Sequence, residues 1–148
     1  ESDFVKVLCD RSNIGMVMDA GEPNKPGLVL AYMVYHLGKH RIDLLNMAVD
    51  PARRRRGIGR MMIDRLKGKM HPQRRSRLSA SAWEFNLGGQ LFLKAMDMSC
   101  YGSWCEDGDE WLEFEFRLGR SMLPATHNRI AEYFTRSQHG ITKGRSAQ

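Results

Sequence analysis

What most limits the fold of this chain is the passage from an apolar run, through a basic turn, into an amphipathic helix. Residues 42–49 are almost unbroken in apolar character, with Ile42, Leu44, Leu45, Met47, Ala48 and Val49, and the pattern predicts a central strand covered on both faces. Asp50-Pro51 stops it, and the arginines Arg53, Arg54, Arg55 and Arg56 follow. Ile58, Met61, Met62 and Leu66 then recur at helical spacing until Gly68 and Pro72 end the helix. A buried strand that feeds a helix through a short turn belongs to α/β architecture. Such a turn gathers unpaired N–H groups at the positive end of the helix dipole. Gly57 and Gly59 carry no side chain, so a phosphate can approach those groups while the arginines add charge-assisted hydrogen bonds. A diphosphate is the natural ligand.

The surrounding chain predicts a mixed sheet flanked by helices. Ser2-Asp3 leads a short helix carrying Phe4, Val7 and Leu8. Strands follow over 14–18 and 28–37, joined through a segment dense in turn formers, and Gly38-Lys39-His40 turns the chain into the 42–49 strand. Beyond the first long helix come a strand of small residues over 78–82 and a helix over 86–96 expected to bury Leu87, Leu91 and Ala95. A final pair of strands includes Leu112, Phe114, Phe116 and Leu118 alternating with Glu113, Glu115 and Arg117. A last helix is expected over 126–136, where Ile130, Tyr133 and Phe134 share a face, with a disordered end after it.

At 148 residues the chain has room for one domain, and 42% apolar with 27% charged residues excludes a disordered one. No apolar run reaches the ~20 residues that cross a bilayer, and Glu1-Ser2-Asp3 is unlike a secretory leader. The expectation is a cytoplasmic protein with no membrane partner. Cys9, Cys100 and Cys105 are an odd set without CxxC spacing and read as reduced thiols, and the five histidines show no ligand spacing, so no metal is expected. The 23 Lys+Arg against 17 Asp+Glu leave a net charge of +6, which points to a polyanionic partner. Nucleic acid is the weaker choice, because no aromatic residue for stacking bases lies between Tyr35 and Trp83, around the basic run.

Leu45-Asn46-Met47-Ala48-Val49-Asp50-Pro51 followed by Arg54-x-x-Gly57-x-Gly59 resembles the acetyl-CoA-binding signature of the GNAT superfamily of N-acetyltransferases, Gln/Arg-x-x-Gly-x-Gly/Ala. Downstream, Asn86-x-x-Gly89-x-x-Phe92-Leu93 resembles the family's Asn-led helix, whose usual Gly-Phe ending is replaced here by Asp97-Met98. The ribosomal-protein alanine acetyltransferase (RimI-like) branch is the most similar. The resemblance implies a mixed, mostly antiparallel sheet with a splayed central strand, in a domain over 1–118 that lacks the family's first strand and helix, and an extension over 119–148. It implies acetyl-CoA as co-substrate. Met47, Ala48 and Val49 would line the pantetheine arm, Arg54, Arg55, Arg56, Gly57, Ile58, Gly59 and Arg60 would form the diphosphate loop, and Asn86 would touch the pantetheine.

Acetyl transfer needs a neutral amine, a polarised thioester carbonyl and a proton for the departing thiolate. The family's general-acid tyrosine aligns with Leu93, and the glutamate base of the RimI-like branch aligns with Ser81. Tyr101, Glu84 and Asp43 are the candidate substitutes. The acidic segment Glu106-Asp107-Gly108-Asp109-Glu110 would draw a cationic acceptor such as a protein N-terminus or basic peptide. Three classes stay open: an N-acetyltransferase acting on a primary amine by direct transfer in a ternary complex, a weak or inactive CoA-binding interaction module, and a basic nucleic-acid-binding domain. Monomer and homodimer are both open.

Overall fold

Six strands and three α-helices alternate along the computed structural model, which describes residues 2–21 and 27–119; the expected helix over 126–136 lies outside the described residues. The order is α1 (Ser2–Cys9), β1 (Asn13–Asp19), β2 (Val29–Leu37), β3 (Arg41–Val49), a 3-10 turn (Pro51–Arg53), α2 (Ile58–Lys67), β4 (Arg77–Trp83), α3 (Leu87–Ala95), β5 (Ser99–Glu106) and β6 (Asp109–Arg117). The strands form one sheet in the order β1-β2-β3-β4-β6-β5, in which β3 and β4 alone run parallel. That is the mixed, mostly antiparallel sheet expected of the sequence. α2 supplies the crossover that a parallel pair requires.

α2 and α3 cover one face. Ile58, Met62, Ile63 and Leu66 of α2 and Leu93 of α3 are buried against Met33 and Tyr35 of β2, Ile42 of β3, Leu78 and Ala80 of β4, and Phe114 of β6. α2 turns slightly from its expected orientation, with Ile63 fully buried and Met61 half exposed. The correction at α3 is larger. Gln90, Leu93 and the capping Met96 face inward, while Leu87 and Leu91 are more than half exposed and Ala95 is exposed too. The Gln90 side-chain amide explains the rotation, because it donates to the carbonyls of Trp83 (3.1 Å) and Glu84 (2.6 Å) and ties the helix to the end of β4. Apolar periodicity alone ranks a buried glutamine below two leucines; hydrogen bonding at the corner reverses that order.

α3 ends in a Schellman turn. The Met98 N–H donates to Leu93 O (3.1 Å) and the Asp97 N–H to Lys94 O (3.0 Å), with Asp97 at φ 62 where glycine is usual. Met98 is then buried in the core, so Asp97-Met98 fills the geometric place of a Gly-Phe pair.

The central strand is not covered on both faces. Ile42 is buried, but Leu45 is 44% exposed and Asn46 is exposed as well. The reason is a change of phase. Tyr35 opposes Leu44 and Val34 opposes Asn46, so Leu45 is an extra residue that bulges out of the ladder. Ile42 and Leu44 face the helices before the bulge, Met47 and Val49 after it. Two half-buried stretches out of step read, in sequence, as one unbroken apolar run.

Candidate active site

The bulge at Leu45 is where the sheet opens. β3 and β4 pair from Arg41↔Arg77 to Leu44↔Ala80 and no further. Beyond that point β3 follows β2 up to Ala31↔Val49, while β4 stays with β6 up to Trp83↔Trp111. Residues 45–49 and 81–83 therefore face each other across an opening, with no ladder between them. The backbone groups on those edges are free to bond an extended ligand as an added strand would.

The head of α2 stands beside this opening. Met61 is the first residue whose N–H is taken within the helix, by Gly57 O at 3.0 Å. The N–H groups of Ile58, Gly59 and Arg60 precede it and have no intrahelical acceptor. Gly57, the N-cap residue, adopts φ 81 and contributes no side-chain cap, and the first turn holds no acidic residue. Gly59 brings the turn close to its neighbours: a Cβ there would lie 3.0 Å from the Phe92 ring of α3 and 3.4 Å from the Met47 methyl of β3. Glycine at 59 thus seats the helix at the foot of the opening, and glycine at 57 bends the chain into it.

The arginines divide into two groups. Arg55 and Arg56 are exposed on the loop, with Arg55 at φ 62. Arg54 is exposed too, but its Nε donates to Val49 O (3.1 Å) and pins the loop to the end of β3. Arg60 reaches toward Ala95 O at the C-terminal end of α3, at 3.5 Å. Asn86 caps α3, its Oδ1 accepting from the Gly89 N–H at 2.9 Å. This accounts for Gly89, since a Cβ there would come within 2.7 Å of Asn86 Nδ2.

The face of the sheet opposite α2 and α3 is ordered in rows that the cross-strand registers define. At the open end stand Trp83, Trp111 and Trp104, on β4, β6 and β5. Trp104 and Trp111 stack with centroids 5.9 Å apart, and Phe85 meets Trp83 edge-on at 5.0 Å. The next row holds Ser81, Glu113 and Gly102, then comes Ser79 with Glu115, and last Arg77 with Arg117. Glu115 pairs with both Arg77 and Arg117. The acidic segment is the hairpin turn at the open end: Asp107 (φ 54) and Gly108 (φ 90) form the two-residue, left-handed turn that suits β5 and β6.

The three candidate proton-transfer residues are not brought together. Asp43 lies in the sealed part of the β3–β4 pair, bound to Arg41 at 2.8 Å and accepting from Ser79 Oγ. Glu84 sits at the β4–α3 corner, its N–H donating to Glu110 O at 2.9 Å. Tyr101 occupies a bulge of β5, between Cys100↔Phe114 and Gly102↔Glu113. Burial, then the charge of Glu113 and a hydrogen bond with it, push its phenol up from the ordinary tyrosine value, so it stays protonated at neutral pH. Leu93 is a core side chain, 5% exposed. Sequence reasoning passed over Glu113, Gln90 and the tryptophan row. Alternation placed Glu113 on the outer face, but only strand register sets it opposite Ser81.

A parallel strand pair that opens at a bulge, beside a helix start built from glycines, defines an α/β protein with an opening and unpaired N–H groups suited to an extended, phosphate-bearing ligand. The match of residues 8–98 to the Acetyltransferase (GNAT) family makes the assignment specific: this chain belongs to that family, whose members use acetyl-CoA. Solved structures share the fold. Arabidopsis thaliana NAA60 in complex with a bisubstrate analogue is 14% identical, with 82% of this chain and 84% of that chain covered at a TM-score of 0.65. The ribosomal-protein-S18-alanine N-acetyltransferase of Escherichia coli is also 14% identical, with 84% and 80% covered at 0.62. The NatC complex bound to Gag peptide and CoA is 12% identical, with 70% of each chain covered at 0.60. No curated protein matches the chain in sequence.

Proposed function

We propose that this protein transfers the acetyl group of acetyl-CoA directly to a primary amine, on a protein N-terminus, a peptide or a small molecule. The observation that carries the reading is the divergence of β3 from β4 at the Leu45 bulge, beside the unpaired N–H groups of Ile58, Gly59 and Arg60. In this reading the helix start and Arg55, Arg56 and Gly57 take the diphosphate, while Arg54 and Arg60 hold the loop and add charge. The edge formed by Met47, Ala48 and Val49 pairs with the pantetheine arm, and the Asn86 amide meets it from α3. A backbone N–H of the β3 edge polarises the thioester carbonyl.

Direct transfer is supported by the placement of the thiols. Cys100 turns toward the helix-covered face opposite Phe114, and burial pushes its pKa up; Cys9 lies on α1 and Cys105 near the hairpin tip. None flanks the opening. An amine on a peptide chain is supported by the fold-level likeness to a ribosomal-protein alanine acetyltransferase and to a complex bound to a peptide and CoA. A second reading, a CoA-binding interaction module without turnover, is favoured by Leu93 in the core and Ser81 in the places of the usual acid and base. Thiol release from acetyl-CoA across a panel of peptides and amines separates the two. Release that depends on the amine supports the enzyme, whereas tight acetyl-CoA binding with no release over the whole panel supports the module.

A further inference from the structure

Four residues of β4 and β6 stand in a square on the outer face: Ser81 and Trp83 on one strand, Glu113 and Trp111 directly opposite. Three corners are large and one is small. The small corner, Ser81, is exposed and lies on β4 beyond Ala80, so the notch above it borders the opening between β3 and β4. Two indoles and a carboxylate around a small, exposed residue are the chemistry that can select an ammonium ion, through cation–π attraction and a charge-assisted hydrogen bond. The charges around it make Glu113 distinctive. Glu115 pairs with Arg77 and Arg117, and Asp43 with Arg41. Glu113 lies instead beside the β5 bulge that carries Tyr101, and its carboxylate stands over Gly102, where a Cβ would come within 3.5 Å of Oε2.

We infer that the notch over Ser81 receives the acceptor's ammonium group and that Glu113 takes its proton, with Tyr101 as the positioning residue that holds the carboxylate. The assignment rests on the acetyltransferase reading and supplies the base that Ser81 cannot. The step balances. The ammonium N–H breaks and its proton passes to Glu113, directly or through a water seated over Ser81. The freed lone pair forms the C–N bond, and the C–S bond breaks with its electron pair leaving on sulfur. The second nitrogen proton neutralises the thiolate, and Glu113 returns the first to water. The raised pKa of Tyr101 fits its part, since a protonated phenol can go on donating to a carboxylate.

The test compares wild type, Glu113→Gln, Glu113→Asp and Tyr101→Phe in a thiol-release assay against an N-terminal peptide amine, with acetyl-CoA affinity measured by calorimetry. Glu113→Gln is expected to lower kcat/KM for the amine about a hundredfold, the size of a general-base contribution, with acetyl-CoA affinity unchanged. Only amine already neutral in solution can then react, so kcat/KM of that variant should climb about tenfold per pH unit below the amine's own pKa, more steeply than wild type. Glu113→Asp should recover part of the rate, and Tyr101→Phe should lower kcat while leaving the thermal midpoint in place. Glu113→Gln within twofold of wild type, with the same pH profile, overturns this assignment and leaves the acetyltransferase reading standing. Wild type that binds acetyl-CoA and releases no thiol with any amine overturns both.

Discussion

Gly57 allows the charge at the head of α2 to be isolated. It stands at φ 81 with open space where a side chain would go, so Gly57→Gln and Gly57→Glu fit equally and differ in charge alone. Holding a non-glycine residue in the left-handed region costs about 1–2 kcal/mol. At about 2–4 °C per kcal/mol for a domain of this size, both variants should melt roughly 2–8 °C below wild type. Binding tells them apart. A carboxylate about 4 Å from a phosphate charge is opposed by about 1 kcal/mol in water and about 4 kcal/mol at the effective dielectric of a protein surface. With a factor of ten for each 1.4 kcal/mol, the glutamate variant should bind acetyl-CoA roughly five- to a thousandfold more weakly than the glutamine variant. Titration calorimetry reads this directly, and the gap should narrow as salt is raised. Equal affinities for the two variants, with both melting lower, would refute the placement of the diphosphate on this helix.

Two further outcomes follow from the same geometry. Replacing Asp107 and Asp109 with asparagine keeps a side chain that tolerates the left-handed turn and removes two charges beside the tryptophan row; steady-state kinetics should show a raised KM for a cationic amine with acetyl-CoA affinity unchanged, and an unchanged KM would remove the hairpin from acceptor binding. Asp97→Gly relieves a left-handed aspartate at the end of α3 (φ 62) and gives up only a 3.6 Å contact to Lys67 with an exposed carboxylate. It should gain up to about 1 kcal/mol and raise the melting midpoint by roughly 2–4 °C, and a lowered midpoint would count against the Schellman assignment.

The turn at the head of α2, where the cofactor is proposed to bind, was legible in sequence because it depends on local features. Asp50-Pro51 ends a strand, Gly57 and Gly59 shape a turn, and Ile58 with Leu66 sets a helix period, all within one short stretch. Element order was legible for the same reason. The inner arrangement of the sheet was not. The bulge at Leu45 swaps the faces of β3 halfway along, and no residue type marks it, since Leu44 and Leu45 are alike to any periodicity. The face of α3 was hidden too, because Gln90 is drawn inward by two carbonyls that β4 brings to it. The proposed acceptor notch depends on which residues of β4, β5 and β6 stand opposite one another. Ser81 and Glu113 are far apart in the chain, and only the register Ala80↔Phe114, Ser81↔Glu113, Ala82↔Leu112 makes them neighbours.

The central claim is that acetyl-CoA lies in the opening between β3 and β4, with its diphosphate on the first turn of α2. A crystal structure of the complex with acetyl-CoA tests it most directly. The account predicts diphosphate oxygens about 3 Å from the N–H groups of Ile58, Gly59 and Arg60, with the pantetheine arm running along residues 47–49. Acetyl-CoA bound elsewhere, with that opening empty and those N–H groups facing solvent, would contradict it.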